Sequence, residues 1–402
     1  MVKPYFESDG ITLYHGDLRE VVPQLSPVDY VVTDPPYGLN FMERDWDQSV
    51  PGPEYWRIIL DTCKPGALML SFGGPRTWHR LTCAIEDAGW EIRDCLMWLY
   101  GSGMPKCGDI GKMIDKVKGA ERKNIGAKVY AGGHIQNWTE DQGSYHGFTK
   151  GKGVYCETAP STELAKQFTG WHNSLKPSWE PIVLAMKALD GTTAHSAEKW
   201  GVAGMNIDAS RIPTDEIIHT PQSDPAKRRG TVGTNLGITN ADKEKFQAAQ
   251  RASVAKTQEL GRYPANLILD GEAATLLDEQ TGTLTSGTNC TRTKAGSGYH
   301  GNIGKSGDVQ ITYGDSGGAS RFFYCSKASK SEKGPGNDHC TVKPLALMKY
   351  LLTLLSTPTG GVVLDPFAGS GSTLLAAKQL GRQCIGVELD AINCEIIVGR
   401  LQ

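Results

Sequence analysis

The residues with the clearest chemical potential are Thr33-Asp34-Pro35-Pro36-Tyr37-Gly38. Asp34 supplies a carboxylate and Tyr37 a flat ring. The two prolines remove backbone N–H groups that would compete for nearby carbonyls. Such a set suits a planar amine, whose N–H groups the carboxylate and the Pro35 carbonyl accept while the ring faces it. A second candidate is Asp365-Pro366-Phe367-Ala368-Gly369-Ser370-Gly371-Ser372. Its small residues let a ligand approach the backbone, and a following helix would point its amides at that ligand. The pattern is not G-x-G-x-x-G, and no Gly-Lys-Ser/Thr follows as a P-loop requires. Glu388 ends the next apolar run, where an acid typically hydrogen-bonds ribose hydroxyls. Each feature alone also has a plainer reading, as a Pro-rich turn or a solvated strand-end acid.

The elements that must hold these residues alternate. Val28–Val32 reads as a buried strand that the prolines end, leaving Asp34 at its carboxyl end, where open α/β sheets bind ligands. Residues 11–17 predict a short strand ending at Asp17, followed by a helix over about 18–25. A mobile polar loop over 38–52 is expected next. A helix over 53–63 is stopped by Lys64-Pro65-Gly66, then come a strand at 67–72, a helix at 77–88 and a strand at 91–98. This alternation predicts an α/β fold with a doubly wound sheet.

The middle differs. Residues 101–175 are rich in Gly and Lys, with one helix near 108–119. Glu180–Met186 returns to the sheet. A second irregular stretch, 187–320, holds a polar helical segment near 241–257, an apolar element at Pro264–Leu269 and a Gly-rich run over 281–318. Regularity resumes at Arg321–Cys325. Helix 343–356, strand 362–365, helix 373–380 and strand 384–388 follow, a β-loop-α-β unit carrying the second candidate.

With 402 residues the chain has room for two domains, or for one core with a large insertion. A net charge of −2 gives no global attraction for nucleic acid, so any such contact needs local basic clusters. One cluster is Lys112, Lys116, Lys118, Arg122 and Lys123 (with Lys128); another is Lys227, Arg228 and Arg229. Either also fits a solvated face. The ten cysteines form no C-x-x-C pair, which argues against a zinc ribbon or a secreted disulfide framework. His15, His195 and His339 show no ligand spacing, so no metal is implied. The amino terminus has no signal-peptide core and no apolar run is long enough for a bilayer, so a cytoplasmic protein without membrane association is expected.

Asp-Pro-Pro-Tyr together with Asp-Pro-Phe-Ala-Gly-Ser-Gly-Ser resembles the S-adenosylmethionine-dependent amino-methyltransferases of DNA. These methylate the exocyclic amine of adenine at N6 or of cytosine at N4. The order of catalytic turn, long variable region and cofactor loop resembles the family's permuted β group. His339-Cys340-Thr341-Val342-Lys343-Pro344 is similar to the family's His-Pro-Thr-x-Lys-Pro motif, departing at Cys340. Lys176–Pro181 and Gly261–Leu267 look like segments of phage and prophage members.

The resemblance implies a circularly permuted, Rossmann-like methyltransferase sheet with a large inserted target-recognition region. Its parts are a catalytic half at 1–100, a basic, Gly-rich insertion at 101–175, a return to the sheet at 176–187, a recognition region at 188–320 and a cofactor half at 321–402. It also implies that Asp34, Pro35, Pro36 and Tyr37 act on the target base. Phe367, Gly369, Ser370 and Gly371 would line the cofactor, with Asp365 anchoring their loop. Glu388 would hold the ribose and Asp17 would meet the adenine. Thr341 and Lys343 would approach the methionine carboxylate. Asp34, where cytosine-N4 members more often carry Ser, favours adenine.

The expected partner is double-stranded DNA, in a bacterial cell or a phage-infected host. Homodimerisation and a partner restriction endonuclease stay open. So do cytosine-N4 methylation, methylation of structured RNA and an idle DNA-binding relative. Asn usually opens the turn in protein-glutamine methyltransferases, so Asp34 argues against that activity. A cytosine-C5 enzyme would need a Pro-Cys nucleophile, and none exists here.

Overall fold

A computed structural model describes residues 2–39, 48–101, 103, 108–130, 135–136, 148–149, 153–214, 258–285, 316–326 and 342–402, with single residues and pairs between 244 and 310. The chain forms two compact units, Met1–Ser102 with Trp179–Gln402, and Gly103–Ser178.

The first unit is built on a ten-stranded sheet. Its strands are β1 (Phe6–Ser8), β2 (Ile11–His15), β3 (Val28–Thr33), β4 (Cys63–Phe72), β5 (Glu91–Leu99), β6 (Trp179–Met186), β7 (Leu267–Asp270), β8 (Tyr324–Ser326), β9 (Val362–Asp365) and β10 (Gln383–Glu388). Their spatial order is β1-β2-β10-β9-β3-β4-β6-β5-β7-β8. Strands β2, β10, β9, β3 and β4 pair in parallel. Strand β6 runs antiparallel to both β4 and β5, and β7 and β8 extend the sheet in parallel. Strand β1 folds back on β2 through Asp9-Gly10, both at positive φ, as a two-residue I′ hairpin requires.

All six residues of β3 are buried, so its near-continuous apolar run marks a central strand covered on both faces. Alternation along β3 and β4 sends Tyr30, Val32, Leu68, Leu70 and Phe72 to one apolar layer. Val28, Val31, Ala67 and Met69 go to the other. Helices α1 (Pro53–Thr62) and α2 (Trp78–Asp87) cover the second face with Trp56, Ile59, Leu81 and Ile85. The first face takes α3 (Leu345–Leu355), α4 (Ser372–Gln379) and α5 (Ala391–Leu401). Helix α3 buries Leu347, Met348, Leu351, Leu352 and Leu355, each worth ~1.5–3 kcal/mol relative to exposure. The expected doubly wound sheet is thus present, and the helices that follow β3 and β9 lie on opposite faces.

Three local expectations change. Lys64-Pro65-Gly66 does not separate helix from strand but lies inside β4. A register shift opposite Val28–Tyr30 absorbs the extra residues, and Gly66 takes φ +85 there. Pro264–Leu269 is more than a short apolar element, since Leu267–Asp270 joins the sheet as β7. Helix α5 arises unforeseen from the Asp390 cap, whose carboxylate accepts the Ile392 N–H at 2.8 Å, and from buried Cys394, Ile397 and Leu401.

In the second unit, helix Ile110–Val117 packs with helix Glu163–Gln167, beside an antiparallel pair formed by Asn124–Tyr130 and Gly153–Thr158. Its centre is Asp115, fully buried. That carboxylate accepts from the Ser161 and Thr162 amides, the Thr162 hydroxyl and Arg122.

Candidate active site

Strands β3 and β9 are neighbours, with Tyr30 opposite Val363 and Val31 opposite Leu364. Because their helices depart to opposite faces, the carboxyl ends of this pair form the switch point of the sheet. There the Thr33 hydroxyl donates to Asp365 Oδ1 at 2.7 Å, with both residues buried. The two motifs, distant in sequence, are joined by that bond. Asp365 also accepts the Phe367 N–H at 3.2 Å, which holds the loop to the strand end. Burial pushes the Asp365 carboxyl up to about 6, against opposing hydrogen bonds from Thr373, Thr33 and Phe367.

The loop after β9 is braced on all sides. Glu388, at the end of β10, is buried and accepts the Gly369 N–H at 2.7 Å. Its other oxygen accepts from the Asp390 amide at 2.9 Å and the Asn393 amide at 3.1 Å. Burial raises the Glu388 carboxyl, and these three N–H groups oppose the shift. A carboxylate has about four acceptor positions, so one remains open. Gly371 starts α4 at φ +79, and a Cβ there would come within 2.9 Å of Ile397. Arg400 donates to the Ser370 carbonyl and hydroxyl, and Phe367 leans on Trp56 with ring centroids 6.0 Å apart. Asp17, at the end of β2, caps the short helix that follows and pairs with Arg19, which lowers its pKa. Asp17, Glu388 and Asp365 therefore stand at or just beyond the ends of adjacent parallel strands.

On the other side of the switch point, Tyr37 is locked by its backbone. The Thr77 hydroxyl donates to its carbonyl at 2.6 Å, and a Cβ on Gly74 would lie 3.1 Å from its ring. Its hydroxyl sits between two carboxylates, 2.8 Å from Asp34 Oδ1 and 2.9 Å from Glu180 Oε2. Lys343 closes the cluster, with its ammonium 2.6 Å from Asp34 Oδ2, 3.1 Å from the Tyr37 oxygen and 3.4 Å from Glu180 Oε2. Burial and the two carboxylates hold the Tyr37 hydroxyl protonated, well above its ordinary range. For Lys343, burial acts to lower the pKa, but Asp34 and Glu180 outweigh it and the net shift is upward. The ammonium also lies over the Tyr37 and Phe72 rings, 5.3 and 4.9 Å from their centroids.

These contacts place several of the expected residues. Lys343, expected at a cofactor carboxylate, meets Asp34 and Glu180 in this structure, the anions nearest to a buried cation. Arg122, expected at DNA, is tied to buried Asp115 and to Thr158, and supports the second unit from within. Lys112, Lys116, Lys118 and Lys123 remain exposed. Thr341, Lys227, Arg228 and Arg229 lie outside the described residues, as do the bulk of the expected 38–52 loop and of the 281–318 run. Glu180 was missed as a site residue. Its only signal was Trp179-Glu180-Pro181, a charge at the start of an apolar strand.

Residues 314–399 match the family model N6_N4_Mtase, described as DNA methylase. The chain is 54% identical over 63 residues to Type II methyltransferase M.HindIII of Haemophilus influenzae, 16% of this chain and 20% of that protein. It is 52% identical over 56 residues to Type II methyltransferase M.BamHI of Bacillus amyloliquefaciens, 14% of this chain and 12% of that one. The chain thus spans a fifth or less of the length of these two relatives. Among solved structures, the cytosine-N4-specific PvuII DNA methyltransferase aligns with 100% of this chain and 89% of its own, with a TM-score of 0.42 and 12% identity. The M1.HpyAVI–SAM complex aligns over 98% and 99%, with a TM-score of 0.39 and 15% identity. Over residues 314–399, the segment that carries Lys343, Asp365 and Glu388, the chain is similar to the DNA methylase family model.

Proposed function

We propose that this protein is an S-adenosylmethionine-dependent DNA methyltransferase that methylates N6 of an adenine flipped out of duplex DNA. The observation that carries the reading is the Thr33–Asp365 bond, which joins the amine-binding turn to the small-residue loop at one switch point.

The residues present fit the cofactor. The loop from Asp365 to Gly371 opens onto the amino end of α4, Phe367 offers an apolar wall, and Glu388 keeps one acceptor position for a ribose hydroxyl. Asp17 would meet the adenine ring. S-adenosylmethionine supplies, when bound, an electrophilic sulfonium methyl group. The exocyclic amine of adenine is a poor nucleophile because its lone pair is delocalised into the ring. Asp34 and the Pro35 carbonyl accept its two N–H groups and draw the nitrogen towards tetrahedral geometry, which frees the lone pair. Each oxygen of Asp34 still has a free lone pair beside its Tyr37 or Lys343 contact. Positioning of the two reactants supplies much of the rate. Extrusion of the base costs a few kcal/mol, and stacking on Tyr37 returns ~1–3 kcal/mol of it. Asp at position 34 supports adenine over cytosine. The order of turn, insertion and cofactor loop supports the permuted arrangement, and the exposed lysines of helix Ile110–Val117 are the proposed phosphate contacts.

The test is transfer of a labelled methyl group from S-adenosylmethionine to unmethylated duplex DNA, followed by nucleoside analysis. N6-methyladenine is expected. Label in N4-methylcytosine overturns the base assignment, and a protein that binds cofactor yet labels no DNA overturns the enzymatic reading.

A further inference from the structure

The reading above leaves one proton unassigned and one carboxylate unused. When the amine nitrogen bonds to the methyl carbon and the sulfur–carbon bond breaks, nitrogen carries a positive charge. It must then release an N–H proton. Asp34 is the nearest base, but a protonated Asp34 could not serve the next turnover.

We propose that Glu180 is the outlet for this proton, reached from Asp34 through the Tyr37 hydroxyl. The proposal rests on the methyl-transfer reading. Tyr37 has one hydroxyl proton and lies at hydrogen-bonding distance from both carboxylates, 2.8 Å from Asp34 Oδ1 and 2.9 Å from Glu180 Oε2. The N–H proton moves to Asp34 Oδ1 and its bonding pair returns to nitrogen. Asp34 then passes that proton to the Tyr37 oxygen while Tyr37 gives its own to Glu180. Asp34 ends as an anion, Tyr37 as a neutral phenol and Glu180 as a neutral acid, which loses the proton to solvent through its 19% exposed side chain.

A plainer role for Glu180 would be to neutralise Lys343. The distances favour the relay: Lys343 is 2.6 Å from Asp34 but 3.4 Å from Glu180, whose shorter contact is with Tyr37. The groups that face Glu180 are Tyr37, Lys343 and, electrostatically, Tyr100, with Asp34 beyond the hydroxyl.

Three variants test the relay: Glu180→Gln, Tyr37→Phe and the double variant. Tyr37→Phe keeps the stacking ring and removes the hydroxyl, with its contacts to Asp34, Glu180 and Lys343. Multiple-turnover transfer of labelled methyl to DNA should fall ~10²-fold in each single variant, with a flattened pH profile, the lower end of general acid–base contributions. The double variant should be no slower than the singles, and cofactor affinity should stay within about twofold of wild type. In the cofactor-free protein, ¹³C-carboxyl NMR should show the Asp34 and Glu180 titrations moving together in Tyr37→Phe. A wild-type rate and pH profile in Glu180→Gln, losses that add in the double variant, or carboxyl titrations indifferent to Tyr37→Phe would each overturn the relay. Wild-type protein that labels no DNA sinks the enzymatic reading itself, whereas labelling by wild type with an indifferent Glu180→Gln sinks the relay alone. Should Glu180→Gln fail to fold, the Tyr37→Phe rate and NMR results still decide.

Discussion

Asp34 and Asp365 are separated by one hydrogen bond from Thr33, yet their surroundings give them opposite tasks. Asp34 keeps part of its carboxylate exposed beside a cation. We expect Asp34→Asn, which preserves shape but not the anion, to lower methyl transfer at least 10²-fold. Cofactor binding by calorimetry should be unchanged; an equal loss of both would contradict the role. Asp365 is sealed, and its folded-state pKa is raised from 3.8 to about 6. A raised carboxyl pKa means the native state holds the proton more tightly. The stability from that group is complete below 3.8 and is lost as pH rises through about 6. Thermal unfolding of Asp365→Asn should therefore gain on wild type as pH climbs from 4 to 7, and a pH-independent gap would refute this.

At the level of elements, the loop after β9 depends on close backbone approach. Gly371 combines φ +79 with a Cβ position 2.9 Å from Ile397, so Gly371→Ala is strained twice. We expect it to cost ~1–3 kcal/mol in urea unfolding and to weaken cofactor binding. Gly386 plays the matching part on β10, where a Cβ would come within 2.8 Å of the Leu374 side chain. In the second unit the buried Asp115 is the hub. Burial acts to raise its carboxyl, but the Ser161 and Thr162 hydrogen bonds and Arg122 outweigh this and lower it to about 2. Its contribution is present above 3.8 and lost as pH falls towards 2. Arg122→Ala should lower the melting temperature of the protein and flatten that acid limb. A variant with weakened DNA binding and wild-type melting would return Arg122 to the DNA surface.

For the molecule as a whole, a net charge of −2 gives no long-range attraction to DNA, so the proposed DNA affinity would come from local phosphate contacts. The exposed lysines 112, 116 and 118 on and beside one helix are the described candidates. Replacing all three with Ala should shift the salt slope of DNA binding by up to about 3, near 0.9 per lost contact. An unchanged slope would move the contacts elsewhere. Among the described residues, no helix is long and apolar enough to cross a membrane.

Much of this molecule was legible without coordinates. The Val28–Val32 run and its two prolines announced a buried strand that ends just before Asp34, since the run is mostly apolar and the prolines lack the N–H groups to continue it. The small residues of 365–372 announced a loop of close backbone approach for an equally local reason. What the chain alone could not say is who meets whom. Glu180 shows no motif of its own, and becomes a site residue only because β6 inserts antiparallel between β4 and β5. Lys343 and Arg122 carry the same charge as any DNA-binding residue; only the carboxylates they face turn them inward. Sequence determined the elements and the two motifs, because those follow from local sterics and apolar spacing. Tertiary structure decided the pairing of charges, because Coulomb energy and desolvation depend on distances between segments the chain keeps far apart.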